Sequence, residues 1–138
     1  MSIFRRWLLS HTYLASAPAP SFVYTASFDN TARKLDSGGN EVWSFTGHTD
    51  RVSGVAVDAD GFVYTASFDN TARKLDSDGN EVWSFTGHTG QVFGVAVDAD
   101  GFVYTASSDE TVRKLDSGGN EVWSFTGHTG PVQGVAAK

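Results

Sequence analysis

Residues 62–101, FVYTASFDNTARKLDSDGNEVWSFTGHTGQVFGVAVDADG, decide how this chain is read, because near copies of them lie on both sides. Residues 22–61 match them at 36 of 40 positions, differing at the pairs 38/78, 50/90, 51/91 and 53/93. Residues 102–138 form a third copy of 37 positions, which departs from the second at eight: 68/108, 70/110, 72/112, 78/118, 91/131, 93/133, 97/137 and 98/138. A fixed 40-residue period points to a stacked array in which each copy is one supersecondary unit. The expected organisation is a non-repeat segment, 1–21, followed by one repeat region, 22–138, with units 22–61, 62–101 and 102–138.

Turn residues cut one period into four pieces of strand length. Val52–Val57 is a nearly continuous apolar run, which predicts an inner strand buried on both faces. Asp58-Ala59-Asp60-Gly61 then turns the chain, with glycine where φ can be positive. Phe62–Ser67 is rich in aromatic and β-branched residues, Asp69-Asn70 turns, and Thr71–Leu75 makes a third strand. After Asp76-Ser77-Asp78-Gly79-Asn80 comes Glu81–Thr86, with Trp83 and Phe85 for bulk. No segment has helical periodicity, so the predicted unit is a four-stranded antiparallel blade and the predicted class is all-β.

Composition excludes several functions. The 138 residues are 40% hydrophobic, enough for a modest core, and carry 16 acids against 10 bases, a formal charge of -6. With no basic cluster beyond Arg5-Arg6 and the Arg-Lys pairs, nucleic acid is not an expected partner. No cysteine is present, so there is neither a disulfide framework nor a thiolate metal site. No run approaches the roughly 20 apolar residues of a spanning helix, and no membrane partner is expected. Met1–Pro20 runs from Arg5-Arg6 through Trp7-Leu8-Leu9 to Ala15-Ser16-Ala17, a weakly signal-like order interrupted by Ser10, His11 and Thr12. Trp7 before His11-Thr12 parallels Trp43 before His48-Thr49, so the segment reads as a repeat remnant or cap, with Ala17–Pro20 as a stiff linker. The expected compartment is the cytoplasm.

Across residues 22–138 the order Gly-His-Thr (47–49, 87–89, 127–129), Val-x-Gly-Val, Asp-Gly, Ser-x-Asp, Thr-x-Arg and Leu-Asp resembles the WD-repeat β-propeller family. The resemblance implies a hydrogen-bonded network that fastens each blade: His48 with Ser67 and Asp69, and His88 with Ser107 and Asp109. The family's tryptophan in that network is replaced here by Leu35, Leu75 and Leu115, so its last bond is missing. Asp76, Gly79 and Trp83 are similar to the tryptophan-docking pattern of quinoprotein-type propellers, one residue shorter. That implies a structural tryptophan packed between blades and no quinone cofactor.

The order of strands predicts assembly. Residues 22–47 supply the three outer strands of a blade, 52–87 and 92–127 a complete blade each, and Val132–Ala137 a lone inner strand. Three blades cannot close a ring. The expectation is that Val132–Ala137 of one protomer completes residues 22–47 of the next, bringing His128 to Ser27 and Asp29, in a head-to-tail ring. A trimer of nine blades is preferred to a dimer of six, because squeezing inner strands together costs about 1–3 kcal/mol per overpacked site, whereas widening only enlarges a channel.

In the resembled family, the partner-binding side chains of the top face map here onto Arg51, Gln91 and Pro131; Ser53, Phe93 and Gln133; and Phe28, Phe68 and Ser108. These are places where otherwise matching copies diverge. The expected function is a protein-interaction scaffold with Phe28, Phe68 and Phe93 as exposed anchors for a protein or peptide. Drift at tolerant loop positions is the competing explanation. Catalysis is not expected, because the Ser, His and Asp set recurs in every blade and no nucleophile motif accompanies it. No metal is expected, since Asp58-Ala59-Asp60-Gly61 lacks the further ligands of a calcium loop. Two alternatives remain: lectin-like binding, which needs Trp43, Trp83 and Trp123 exposed, and a young or engineered propeller fragment with no evolved ligand.

Overall fold

A computed structural model describes residues 21–138, and the readings of Met1–Pro20 lie outside the described residues. The first unit forms a three-stranded sheet: β1 (Phe22–Ala26), β2 (Ala32–Asp36) and β3 (Glu41–Phe45), in that order. The second is β4 (Val52–Val57), β5 (Val63–Ser67), β6 (Ala72–Leu75) and β7 (Glu81–Phe85), from inner to outer edge. The third repeats it as β8 (Val92–Val97), β9 (Val103–Ser107), β10 (Val112–Leu115) and β11 (Glu121–Phe125). All pairing is antiparallel between chain neighbours, and no helix occurs among the described residues.

Two irregularities in the ladders set the shape of each blade. Between β4 and β5 the register skips Ser53, and Gly54 comes opposite Ala66. A β-bulge of this kind turns the extra residue off the ladder. Gly54 is glycine because the next inner strand crosses directly over it: a Cβ there would lie 3.3 Å from the Phe93 carbonyl oxygen and 3.4 Å from Gly94 Cα. Between β6 and β7 the register skips Val82, which leaves Trp83 opposite Lys74. These two side chains then reach the same acceptor on the neighbouring blade.

The core lies between blades. One cluster joins Tyr64, Ala66, Phe85, Val92, Val95, Val103 and Leu115 across the second and third blades. Another joins Phe45, Val63 and Leu75 across the first and second. The most buried strand is β5, every residue of which is buried, and not the inner strand expected from its apolar run. β4 is largely half-buried and ends in exposed Val57. The physical reason is position: β5 has strands on both edges and blades on both faces, whereas β4 has one unpaired edge.

A second expectation also needs correction. Residues 132–137 form no strand. They nevertheless follow an inner strand's path beside the third blade. Val132 N–H donates to Ser107 O at 2.9 Å, as Val52 N–H does to Ser27 O at 3.0 Å. Their backbone crosses Gly94, whose Cβ position lies 3.4 Å from Gln133 O and 3.6 Å from Gly134 Cα. A strand exists only through its ladder partner, and no other described strand runs beside this segment in register.

Candidate functional site

Each complete blade has a buried polar network where the loop after the outer strand meets the next blade. His48, in the β3–β4 loop, is 2.7 Å through Nδ1 from Asp69 Oδ2 and 2.7 Å through Nε2 from Thr65 Oγ1. A carboxylate only accepts, so Nδ1 carries a proton, and the threonine hydroxyl, which can donate or accept, meets Nε2. Asp69 also accepts from Thr49 N–H, from Thr71 N–H and from the Thr71 hydroxyl at 2.6 Å. Burial by itself would raise the Asp69 carboxyl, but the bonds from His48 and Thr71 outweigh it and hold the acid well below the usual carboxylate range. His88, Asp109, Thr105 and Thr111 repeat the arrangement. There, burial pushes the His88 imidazole below its ordinary value despite the adjacent Asp109.

The serines stand elsewhere in the network than expected. Ser67 Oγ donates to Asp50 O and accepts from Asp69 N–H, and it has no bond to His48. Ser107 does the same with Gly90 O and Asp109. The hydroxyl that meets each histidine belongs to Thr65 or Thr105, which sequence reasoning missed. Its signal was a hydroxyl at a buried alternate position of an otherwise apolar strand. Leu75, in the family's tryptophan position, is fully buried against the core. No buried side-chain polar atom among the described residues lacks a partner, so the missing indole leaves no unmet donor or acceptor.

In the first blade the corresponding groups are open. Asp29 accepts from Thr31 and contacts Arg33, its side chain 53% exposed, whereas Asp69 and Asp109 are 4% and 6% exposed. His128, at the other end, is exposed. The expected joining of His128 to Ser27 and Asp29 does not occur within one chain.

The top face carries a row of rings. Phe28 and Phe68 have centroids 5.6 Å apart, Phe68 and Phe93 5.5 Å, and the Arg51 guanidinium lies 5.0 Å from the Phe28 centroid. Only Phe28 is an exposed anchor, at 62%; Phe68 and Phe93 half-bury each other in an edge-to-face contact. Arg51, Gln91, Pro131 and Gln133 are exposed and Ser108 is half-buried. Ser53 is committed to the fold: its hydroxyl lies 2.8 Å from Val92 O, bridging two inner strands. On the opposite face, Asp58 Oδ1 accepts from Asp60 and Phe62 N–H, and Oδ2 accepts from the Tyr64 hydroxyl. That carboxylate organises a turn.

The outer-strand tryptophans lock adjacent blades. Trp43 lies against Gly79, whose Cβ position is 2.7 Å from the indole, and its Nε1–H donates to Ser77 O at 3.0 Å. Trp83 meets Gly119 and Ser117 O in the same way, at 2.7 and 3.1 Å. Gly79 and Gly119 also have φ of 86° and 83°, where any side chain would be strained. Lys34 and Lys74 donate to the same carbonyl oxygens. Of the three tryptophans named for lectin-like binding, Trp43 and Trp83 are packed against the next blade and Trp123 is exposed.

Blades of antiparallel strands, fastened by a His–Asp–Thr network and docked by tryptophan, define a β-propeller fold. A family model described as outer membrane protein assembly factor BamB matches residues 29–137, and the chain belongs to that family. Among solved structures it is similar to the WD40 β-propeller domain of Doa1, with a TM-score of 0.73 and 26% identity. The match covers 80% of this chain and 38% of that one. No curated protein matches.

Proposed function

We propose that this chain is a self-assembling interaction scaffold, whose protomers join head to tail by strand exchange and present a top face to a protein or peptide. The observation that carries the reading is the placement of residues 131–138. They already lie along the inner lane beside the third blade without joining a sheet, while among the described residues β1 has no inner neighbour. Transfer of that segment onto β1 of a second protomer would reproduce the β4–β5 ladder. It would also bring His128 to Asp29 and Thr25 as His48 meets Asp69 and Thr65, and leave no blade without an inner strand. The site acts by binding and not by catalysis. Within it, Phe28, Arg51 and Gln91 are the residues free to touch a partner.

Solution mass by light scattering coupled to size exclusion tests the assembly. A mass three times 14.8 kDa, lost on truncation before Val132, supports a nine-bladed ring; twice that mass supports six blades. A stable monomer overturns the reading.

A further inference from the structure

The outward face of the third blade is an uncovered apolar surface. Phe125 is 50% exposed and Trp123 42%, whereas Phe45 and Phe85, the equivalents of Phe125, are both 9% exposed. With Val112 and Ser124 these two aromatics line a concavity of about 470 Å³. What covers the equivalent residues is known from the other two blades: β5, β6 and the β6–β7 turn cover the first, and β9, β10 and the β10–β11 turn the second.

The first blade presents that same covering surface, and none of the described residues occupies it. Gly39 has φ of 83° and no atom of the described residues within 4 Å of its Cβ position, where Gly79 and Gly119 each have an indole at 2.7 Å. Val23 is 54% exposed, while Val63 and Val103 are fully buried beneath Phe45 and Phe85. Among the described residues, no indole or ammonium reaches Ser37 O, although Ser77 O and Ser117 O each receive a tryptophan and a lysine. Lys114, which sits over the Phe102 ring at 4.0 Å, is the lysine without such a carbonyl.

We infer that a second copy of this chain covers the third blade, with Trp123 docked on Gly39 and Phe125 on Val23 of the neighbouring protomer. The indole Nε1–H and the Lys114 ammonium then donate to Ser37 O across the interface. The two surfaces fit because they are repeats of one that already closes twice within the chain. Sequence identity at the touching positions (Trp83/Trp123, Phe85/Phe125, Val63/Val23, Gly79/Gly39, Ser77/Ser37) carries that geometry over, with Val112 beside Phe125 where the other blades have Ala32 and Ala72.

The inference rests on head-to-tail assembly but concerns a contact separate from strand exchange, and the two can be tested apart. The intact chain, Trp123→Ala, and a chain truncated before Val132 are compared by sedimentation equilibrium. Trp123 is exposed in the single chain, so Trp123→Ala should keep the unfolding midpoint of the dilute protomer. It should weaken association on the order of 100-fold, as expected for a central aromatic anchor. Dilution of the intact assembly should also red-shift tryptophan emission, and Trp123→Phe should abolish most of that shift. Assembly that is lost on truncation but as tight in Trp123→Ala as in the intact chain overturns the docking contact and leaves strand exchange standing. An intact chain that stays monomeric overturns both.

Discussion

Asp109→Ala is the sharpest test of what fastens the third blade. The carboxylate, 6% exposed, accepts from His88 Nδ1–H at 2.8 Å, Thr89 N–H at 3.1 Å, Thr111 N–H at 3.0 Å and the Thr111 hydroxyl at 2.6 Å. Arg113 lies 3.7 Å from it. Removing it strands the His88 N–H in a site where the ring is fully buried, and the Thr111 hydroxyl at 3.4 Å is a poor substitute acceptor. Loss of one partner from a buried, charge-assisted set costs roughly 3–4 kcal/mol. With a urea m-value of about 2 kcal/mol/M, the unfolding midpoint should fall by roughly 1.5–2 M. Asp29→Ala is the internal control. Its carboxylate is half-exposed and has no histidine partner among the described residues, so in the dilute protomer the substitution should move the midpoint far less than Asp109→Ala does. Tryptophan fluorescence during urea unfolding, at a concentration where light scattering gives the single-chain mass, reads both. Equal midpoints for the two variants would refute the fastening role of the network.

Three further outcomes follow from the same geometry. Thr105→Val keeps the shape of a fully buried side chain but leaves His88 Nε2 without its hydroxyl partner, and should lower stability by about 1–2 kcal/mol in the same urea assay. Glu110 holds φ of 72° where the other copies place Asn30 and Asn70. Glu110→Asn should therefore stabilise by about 0.5–1 kcal/mol, read as a higher thermal midpoint. Stability against pH should fall at both ends. His88, pushed below its ordinary 6.5 mainly by burial, contributes stability present above pH 6.5 and lost as the pH falls through its folded value. Asp69 and Asp109, held below 3.8, extend that loss to lower pH. Tyr64, raised above 10.0 by burial and by its bond to Asp58, contributes stability that is full below pH 10 and lost above it. Thermal melts across the pH range check the signs, and a Tyr64→Phe variant should flatten the alkaline limb.

The 40-residue period and its turn residues determined by themselves that the chain makes antiparallel four-stranded units. Those are local properties: glycine and Asx residues fix the turns, and β-branched and aromatic residues fix the strands. The histidine and aspartate of the network were legible for the same reason, since they stand at fixed offsets in a repeating motif. Which hydroxyl completes the network was not. Thr65 and Ser67 point to the same face of β5, and only the approach of the β3–β4 loop decides that His48 meets the first while Asp50 O takes the second. The burial of β5 over β4, the mutual cover of Phe68 and Phe93, and the capture of Ser53 by Val92 O likewise depend on how one blade sits against the next. Composition and period carry no information on that distance. Identical sequence also hides the difference between Trp43 and Trp123, one packed on a glycine and one open to solvent. The chain around each tryptophan is the same, and only the presence or absence of a neighbouring blade sets them apart.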